Sequence, residues 1–187
     1  MRNMLVGDRV RLNAVREEDL IIIEGWFNDI EFLRYYDVMP AMPQRAADVR
    51  KGVDDFTNSN KSCMFAIRAK DKDVIIGVIG LYDIIWASGV ATFFVGIGDT
   101  NNAGKGMGSE AMKLFLDYGF NELNLYRIQL NVIQYNEIAI KVYERMGFRR
   151  EGIYRDFLYR DGKRFDLYLY GLLRDEWISK VSRQHSV

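Results

Sequence analysis

The sequence has few of the residues that most often carry chemistry. It contains one cysteine, Cys63, and one histidine, His185. A lone cysteine cannot close an internal disulfide, and a reducing compartment fits. Cys63 stands in Cys63-Met64-Phe65-Ala66-Ile67, which reads as a strand with a core thiol. The only histidine lies in a polar tail, so a His-based triad is excluded and no metal site is expected. Net charge is missing too: 26 Lys and Arg balance 26 Asp and Glu, for a formal charge of +0. That balance argues against a nucleic-acid partner. Local basic clusters such as Arg145, Arg149 and Arg150 read as solvated surface. No apolar run approaches the ~18–20 residues of a membrane span. The opening Met1-Arg2-Asn3-Met4-Leu5-Val6-Gly7 lacks the apolar core of a secretory signal. No membrane partner is expected, and the expected location is cytoplasmic.

Core material, in contrast, is plentiful. Of the 187 residues, 49% are hydrophobic and 13% aromatic, which excludes disorder. Residues 1–187 read as a single domain.

Residues 9–15 alternate as a strand. Glu17-Glu18-Asp19 opens a helix with acids near its positive end. Its apolar stripe is Leu20, Ile23, Trp26 and Phe27, and it ends near Asn28-Asp29. A second helix follows Pro43, over 46–56. Strands at 63–69 and 74–84 are joined by the hairpin tetrapeptide Lys70-Asp71-Lys72-Asp73. A third strand of this series, 90–98, follows the turn Ala87-Ser88-Gly89. After a glycine-rich segment comes a helix with Ala111, Leu114, Phe115, Tyr118 and Phe120 on its apolar side. Residues 127–133 form a strand. Asn136 starts a helix that buries Ile140, Tyr143 and Met146 and closes at Gly147. Strands 149–159 and 164–173 meet at Asp161-Gly162, a strong hairpin dipeptide. Trp177 and Ile178 fall in a short terminal helix or coil. The order β-α-α-β-β-β-α-β-α-β-β implies an α+β fold. Its expected centre is a mixed, mostly antiparallel sheet flanked by helices.

The segment Gly104-Lys105-Gly106-Met107-Gly108 sits between a strand and a helix, where backbone N–H groups and the helix dipole can hold phosphate. A Walker loop needs a Gly-Lys-Ser/Thr ending, and here Gly106 follows Lys105. A dinucleotide fingerprint needs Gly-x-Gly-x-x-Gly, whereas this is Gly-x-Gly-x-Gly. On spacing alone, a plain glycine-rich surface turn stays open.

Two segments together narrow the choice. Gly98-Asp99-Thr100-Asn101-Asn102-Ala103-Gly104-Lys105-Gly106-Met107-Gly108-Ser109 resembles the pyrophosphate loop of GNAT acetyltransferases. Some thirty residues later, Asn136-Glu137-Ile138-Ala139-Ile140-Lys141-Val142-Tyr143-Glu144-Arg145-Met146-Gly147-Phe148 resembles the same family's second motif. The run from Tyr159 to Asp166, with the later Leu172-Leu173-Arg174-Asp175-Glu176-Trp177, resembles the ribosomal-protein alanine acetyltransferase branch. Gly119-Phe120-Asn121-Glu122-Leu123-Asn124-Leu125-Tyr126-Arg127 resembles spermidine acetyltransferases. The resemblance covers nearly the whole chain.

It implies an N-acetyltransferase with acetyl-CoA as co-substrate and a primary amine as acceptor. That amine is a protein N-terminus or a small molecule, polyamines included; a non-catalytic CoA-binding module is the alternative. The resemblance places the pantetheine arm beside Gly96, Ile97 and Gly98. It places the phosphates on Ala103, Gly104, Lys105, Gly106, Met107, Gly108 and Ser109. Ala103 stands where the family usually has Arg or Gln, which implies weaker CoA binding, and Lys105 is a substitute charge. Tyr143 matches the tyrosine beside the CoA sulfur and is the implied general acid. Asn136 is implied to touch the pantetheine arm or to order its loop, beside its local role as a helix cap. The strand Thr92-Phe93-Phe94-Val95 lacks the glutamate that many relatives carry. Asp83 and Asp37 are then the acids implied at the acceptor site, Asp83 also as a proton relay, with Glu31 weaker. Homodimers are common in the family.

Overall fold

The computed structural model describes residues 3–99 and 106–184. Among these residues, the sheet strands are β1 (Val10–Asn13), β2 (Cys63–Ala69), β3 (Val74–Ile85), β4 (Val90–Ile97), β5 (Arg127–Ile133), β6 (Arg149–Arg160) and β7 (Lys163–Leu173). Their spatial order is β1-β2-β3-β4-β5-β7-β6. Only β4 and β5 run parallel; the other neighbours are antiparallel. The expected mixed, mostly antiparallel sheet is therefore present. Asp161 and Gly162 both take left-handed φ, +52° and +72°, the conformation that a two-residue hairpin between β6 and β7 requires.

The helices are α1 (Leu20–Phe27), α2 (Ile30–Tyr36), α3 (Ala46–Asn58), α4 (Met107–Asn121), α5 (Glu137–Met146) and α6 (Arg174–Gln184). Side chains alternate across the strands and so feed two cores. One core joins the sheet to α4 and α5 through Phe93, Phe115, Leu116, Tyr143 and Phe148. The other joins Ile23 and Trp26 of α1 and Val49 of α3 to Ala66, Ile75 and Val78. Met112 and Leu116 are fully packed on α4, while the expected Leu114 and Tyr118 are only half-buried.

Two expectations need correction. Helix α2 was not foreseen. Asp29, read only as the end of α1, also caps α2: its side chain accepts from Glu31 N at 2.8 Å and Phe32 N at 3.3 Å. The first strand is shorter than 9–15, because Arg16 N turns to donate to Asp19 Oδ2 at 2.7 Å. Of the short helix or coil expected for the tail, the structure has the helix, anchored by buried Trp177, which stacks on Phe120 and donates to Asp117 at 2.7 Å.

A buried ion pair fastens α1 to the sheet. Arg68 donates to Asp19, and both side chains are almost wholly enclosed. Arg68 also donates to Asn13 Oδ1 at 3.2 Å and to the Asp73 carbonyl at 3.0 Å. Its donors are thus met on three sides, which a buried guanidinium needs to offset its desolvation.

Candidate active site

The site begins with a defect in the sheet. β4 and β5 pair only where Val90, Ala91 and Thr92 face Arg127, Ile128 and Gln129. Beyond Thr92, β4 continues along β3 as far as Ile97, and β5 continues along β7 as far as Ile133. The two strands therefore splay into a wedge. At strand rise, residues 93–97 run roughly 13 Å along one wall. Backbone groups on that wall face a gap that an extended, amide-bearing chain can fill like an added strand.

Aromatic rings close the narrow end. Phe93 is the first β4 residue past the last β4–β5 pair. Tyr143, on α5, meets its ring edge-on at a centroid distance of 6.5 Å, and Phe148 lies 6.3 Å from Phe93. Tyr143 is 8% exposed, and burial pushes its hydroxyl well above the usual phenol range. It is accordingly a protonated donor at neutral pH.

Helix α4 begins at the wide end. A Cβ added to Gly108 would touch Ile97 at 3.4 Å, so the first turn of α4 abuts the end of β4. Gly106 caps α4 in a left-handed conformation, φ +76°. Such a cap suits glycine and leaves the helix's first N–H groups facing outward. The Arg9 guanidinium stands beside it, with Nη1 and Nη2 each 3.2 Å from where a Gly106 Cβ would lie. Glu110, in the first turn of α4, holds Arg9 by its Nε and its backbone N, both at 2.9 Å. Met107, Gly108 and Ser109 form that same first turn. Ala103, Gly104 and Lys105, expected to hold phosphate, lie outside the described residues.

Gly96 and Gly98 turn out to have a packing role. A Cβ on Gly96 would meet the Tyr36 ring at 2.7 Å, and one on Gly98 would meet Trp26 at 2.0 Å. Their missing side chains let α1 and α2 lie directly on β4. Gly98→Ala should therefore cost about 1–3 kcal/mol through overpacking. Chemical denaturation would check this, and an unchanged midpoint would contradict it.

Asn136 caps α5, accepting from Ala139 N at 3.2 Å, and donates to the Tyr35 carbonyl at 3.4 Å. It thus ties α5 to the end of α2. Asp37 follows α2 directly, and its exposed carboxylate accepts from Met39 N at 3.2 Å. Asp83 is exposed and left-handed, φ +50°, within the irregular stretch of β3 between Tyr82 and Ile85. Both acids act on one phenol: burial first, then the charges of Asp83 and Asp37, raise Tyr82 above its ordinary value. Burial, then Asp37, raises Tyr36 similarly. Around them lies an aromatic wall. The Phe94 ring contacts Tyr36 at 6.5 Å, Phe56 at 5.2 Å and Tyr82 at 6.3 Å. Glu31 is exposed in the first turn of α2.

Sequence patterns missed Phe94, Tyr82 and Arg160 as parts of this region. Arg160, at the end of β6, donates through Nη2 to the carbonyls of Asp37 and Met39, both at 2.9 Å. Through Nη1 it reaches the Arg34 carbonyl and the Tyr135 hydroxyl. It thereby pins the loop that carries Asp37. Cys63 is half-buried beside the α4 core, where burial raises its thiol pKa, as suits a packing role. Among the described residues, no cluster of His, Cys, Asp or Glu could hold a metal ion, and no helix is long and apolar enough to cross a membrane.

Known proteins share this fold. The acetyltransferase (GNAT) domain family matches residues 9–149. The uncharacterized N-acetyltransferase p20 of Bacillus licheniformis is 31% identical over 174 residues, covering 92% of this chain and 97% of its own. The spermidine N(1)-acetyltransferase of Escherichia coli K12 is 29% identical over 139 residues, covering 74% of this chain and 72% of its own. The crystal structure of spermidine N-acetyltransferase from Vibrio cholerae in complex with CoA and spermine superimposes with a TM-score of 0.83. It is 23% identical and covers 92% of this chain and 99% of that one, a likeness of fold.

Proposed function

Because this chain belongs to the GNAT acetyltransferase family and is an acetyl-CoA-dependent N-acetyltransferase, we propose that its acceptor is a small cationic amine of the polyamine class. The observation that carries this reading is the pairing of two exposed carboxylates, Asp37 and Asp83, around the aromatic wall of Tyr36, Tyr82, Phe56 and Phe94. Carboxylates attract an ammonium group, and ring faces add cation–π attraction. A primary amine is charged at neutral pH and must shed a proton before it attacks. Asp83, or Asp37 through water, takes up that role.

In the proposed reaction the amine nitrogen bonds to the acetyl carbon and the carbon–sulfur bond breaks. The Tyr143 hydroxyl donates to the departing sulfur and regains a proton, through solvent, from the one that the nitrogen loses on forming the amide; the proton shed before attack leaves through the acids and solvent. The β4 wall binds pantetheine beside Gly96, Ile97 and Gly98. The start of α4, from Gly106 to Ser109, receives the phosphates together with Ala103, Gly104 and Lys105. Asn136 orders the junction between α5 and α2.

The test is a panel of polyamines, amino acids, amino sugars and N-terminal peptides, assayed for CoA release. A polyamine should show the highest kcat/KM; a peptide in that place would overturn the assignment. Acetyl-CoA should also raise Tm, because a ligand at a hundredfold excess over Kd stabilises the folded state by about 2.7 kcal/mol. ATP and NAD should leave Tm unmoved; a shift with ATP and none with acetyl-CoA would contradict the co-substrate.

The proposal extends to a single cytoplasmic domain that acts without nucleic acid and pairs as a homodimer. Acetyl-CoA and a lone cysteine support the compartment. Edge strand β6, with exposed Ile153, Tyr154, Phe157 and Tyr159, supports the pairing.

A further inference from the structure

Helix α2 ends at Tyr36, and Asp37 follows at once. The last carbonyls of a helix have no partner within it and need donors from outside. Here three side chains supply them. Asn136 donates to the Tyr35 carbonyl at 3.4 Å. The Tyr135 hydroxyl and Arg160 Nη1 both donate to the Arg34 carbonyl. Past the helix end, Arg160 Nη2 takes the carbonyls of Asp37 and Met39. One guanidinium thus spans residues 34 to 39, which a planar fork of fixed donors can do and a point-like ammonium cannot. Its positive charge also suits the negative end of α2. The Asp37 carboxylate folds back onto Met39 N at 3.2 Å. Holding the carbonyls at 37 and 39 therefore holds the carboxylate between them.

The guanidinium is itself held. The Tyr135 hydroxyl accepts from Nη1, and the Arg160 Cζ lies 5.9 Å from the Tyr135 ring centroid. That ring packs edge-on against Tyr35 at 5.5 Å and Phe165 at 5.0 Å. Asp161 is kept ionised by its hydrogen bonds to Arg34 first, and by the nearby charges of Arg34 and Arg160. Tyr135 directly precedes Asn136, the cap of the helix that carries Tyr143. Arg160 therefore joins the loop of Asp37 to the start of α5.

We infer that Arg160 is a positioning residue for the acceptor: it fixes the Asp37 carboxylate relative to α5 and so sets the affinity for a cationic amine. The inference rests on the polyamine reading of Asp37 and adds a residue that acts through that acid. Charge alone predicts the opposite sign. An arginine near the site repels an ammonium group, so on charge alone its removal would lower the acceptor KM. Positioning predicts that KM rises.

The test is steady-state kinetics with spermidine at saturating acetyl-CoA. The proteins are wild type, Arg160→Ala, Arg160→Lys, Asp37→Asn, and each Arg160 variant combined with Asp37→Asn. Arg160→Ala should raise the spermidine KM about tenfold, the loss expected when one charged hydrogen-bonding partner is misplaced at an exposed site. Its kcat should move far less, because the contact binds ground state and transition state alike. Arg160→Lys should fall between, since it keeps the charge and loses the fork. Asp37→Asn should raise KM by itself, and adding Arg160→Ala should then change little, because the carboxylate being placed is gone. An unchanged or lowered KM in Arg160→Ala would overturn the inference. So would equal proportional rises with and without Asp37→Asn, or an equal loss of CoA affinity by calorimetry, which would mark a general loosening of α2. If Arg160→Ala does not fold, Arg160→Lys carries the same comparison in both backgrounds. Wild-type KM in Asp37→Asn alone would overturn the acceptor role of Asp37 and this inference with it. A rise there, with Arg160 effects that simply add to it, would overturn the inference and leave that role standing.

Discussion

Tyr143→Phe should lower kcat on the order of a hundredfold and leave acetyl-CoA affinity unchanged, because general acid catalysis typically contributes 10²–10⁴-fold. The substitution removes one oxygen. The ring contacts with Phe93 and Phe148 that hold the residue in the core remain. The hydroxyl matters chiefly as charge develops on sulfur, so its loss falls on the chemical step. Burial raises the Tyr143 pKa, and the sign follows directly: the protonated, donating form persists as pH rises past neutrality. A thiolate with a free pKa near 8.5 is weaker as a base than this phenolate, which sets the effect toward the low end. The variant should therefore differ from wild type by the same factor across the neutral range. Wild-type kcat in a folded variant, in an assay limited by chemistry, would reduce Tyr143 to a packing residue.

Gly106→Asp should abolish CoA binding, with affinity falling on the order of a hundredfold or more. The left-handed cap at φ +76° is one that aspartate tolerates better than most residues, so the fold should survive. A carboxylate there would meet Nη1 and Nη2 of Arg9 and could cap the first N–H groups of α4. It would thus occupy the α4 N–H groups proposed to receive the phosphates and repel a phosphate by charge. Calorimetry with CoA, alongside thermal melting, checks both halves of this expectation. Wild-type affinity in the folded variant would place the phosphates elsewhere.

How much of this was legible in the sequence follows the range of each interaction. Local patterns were readable: the hairpin at Asp161-Gly162, the cap at Asn136 and the α5 face carrying Tyr143 each depend on neighbours within a turn or two. Helix α2 was not, because Asp29 serves as both a stop and a start, and only its bonds to Glu31 and Phe32 separate the two roles. Phe93 and Phe94 look alike in a strand, yet one lines the wedge beside Tyr143 and the other the aromatic wall with Tyr36 and Tyr82. Telling them apart requires knowing which helices cover which face. Arg160 reaches carbonyls more than 120 residues back in the chain, and Arg9 meets a helix 101 residues ahead. No local periodicity encodes such partners. The β4–β5 splay was also hidden, since each strand is regular by itself and only their mutual pairing ends at Thr92.

In the proposed reaction the β4–β5 splay seats pantetheine and delivers the thioester to Tyr143. A crystal structure of the complex with CoA tests it most directly. Pantetheine should run along residues 93–97 of β4, with the sulfur within hydrogen-bond distance of the Tyr143 hydroxyl and the pyrophosphate at the first turn of α4. CoA bound away from the wedge, or a sulfur turned away from Tyr143, would contradict it.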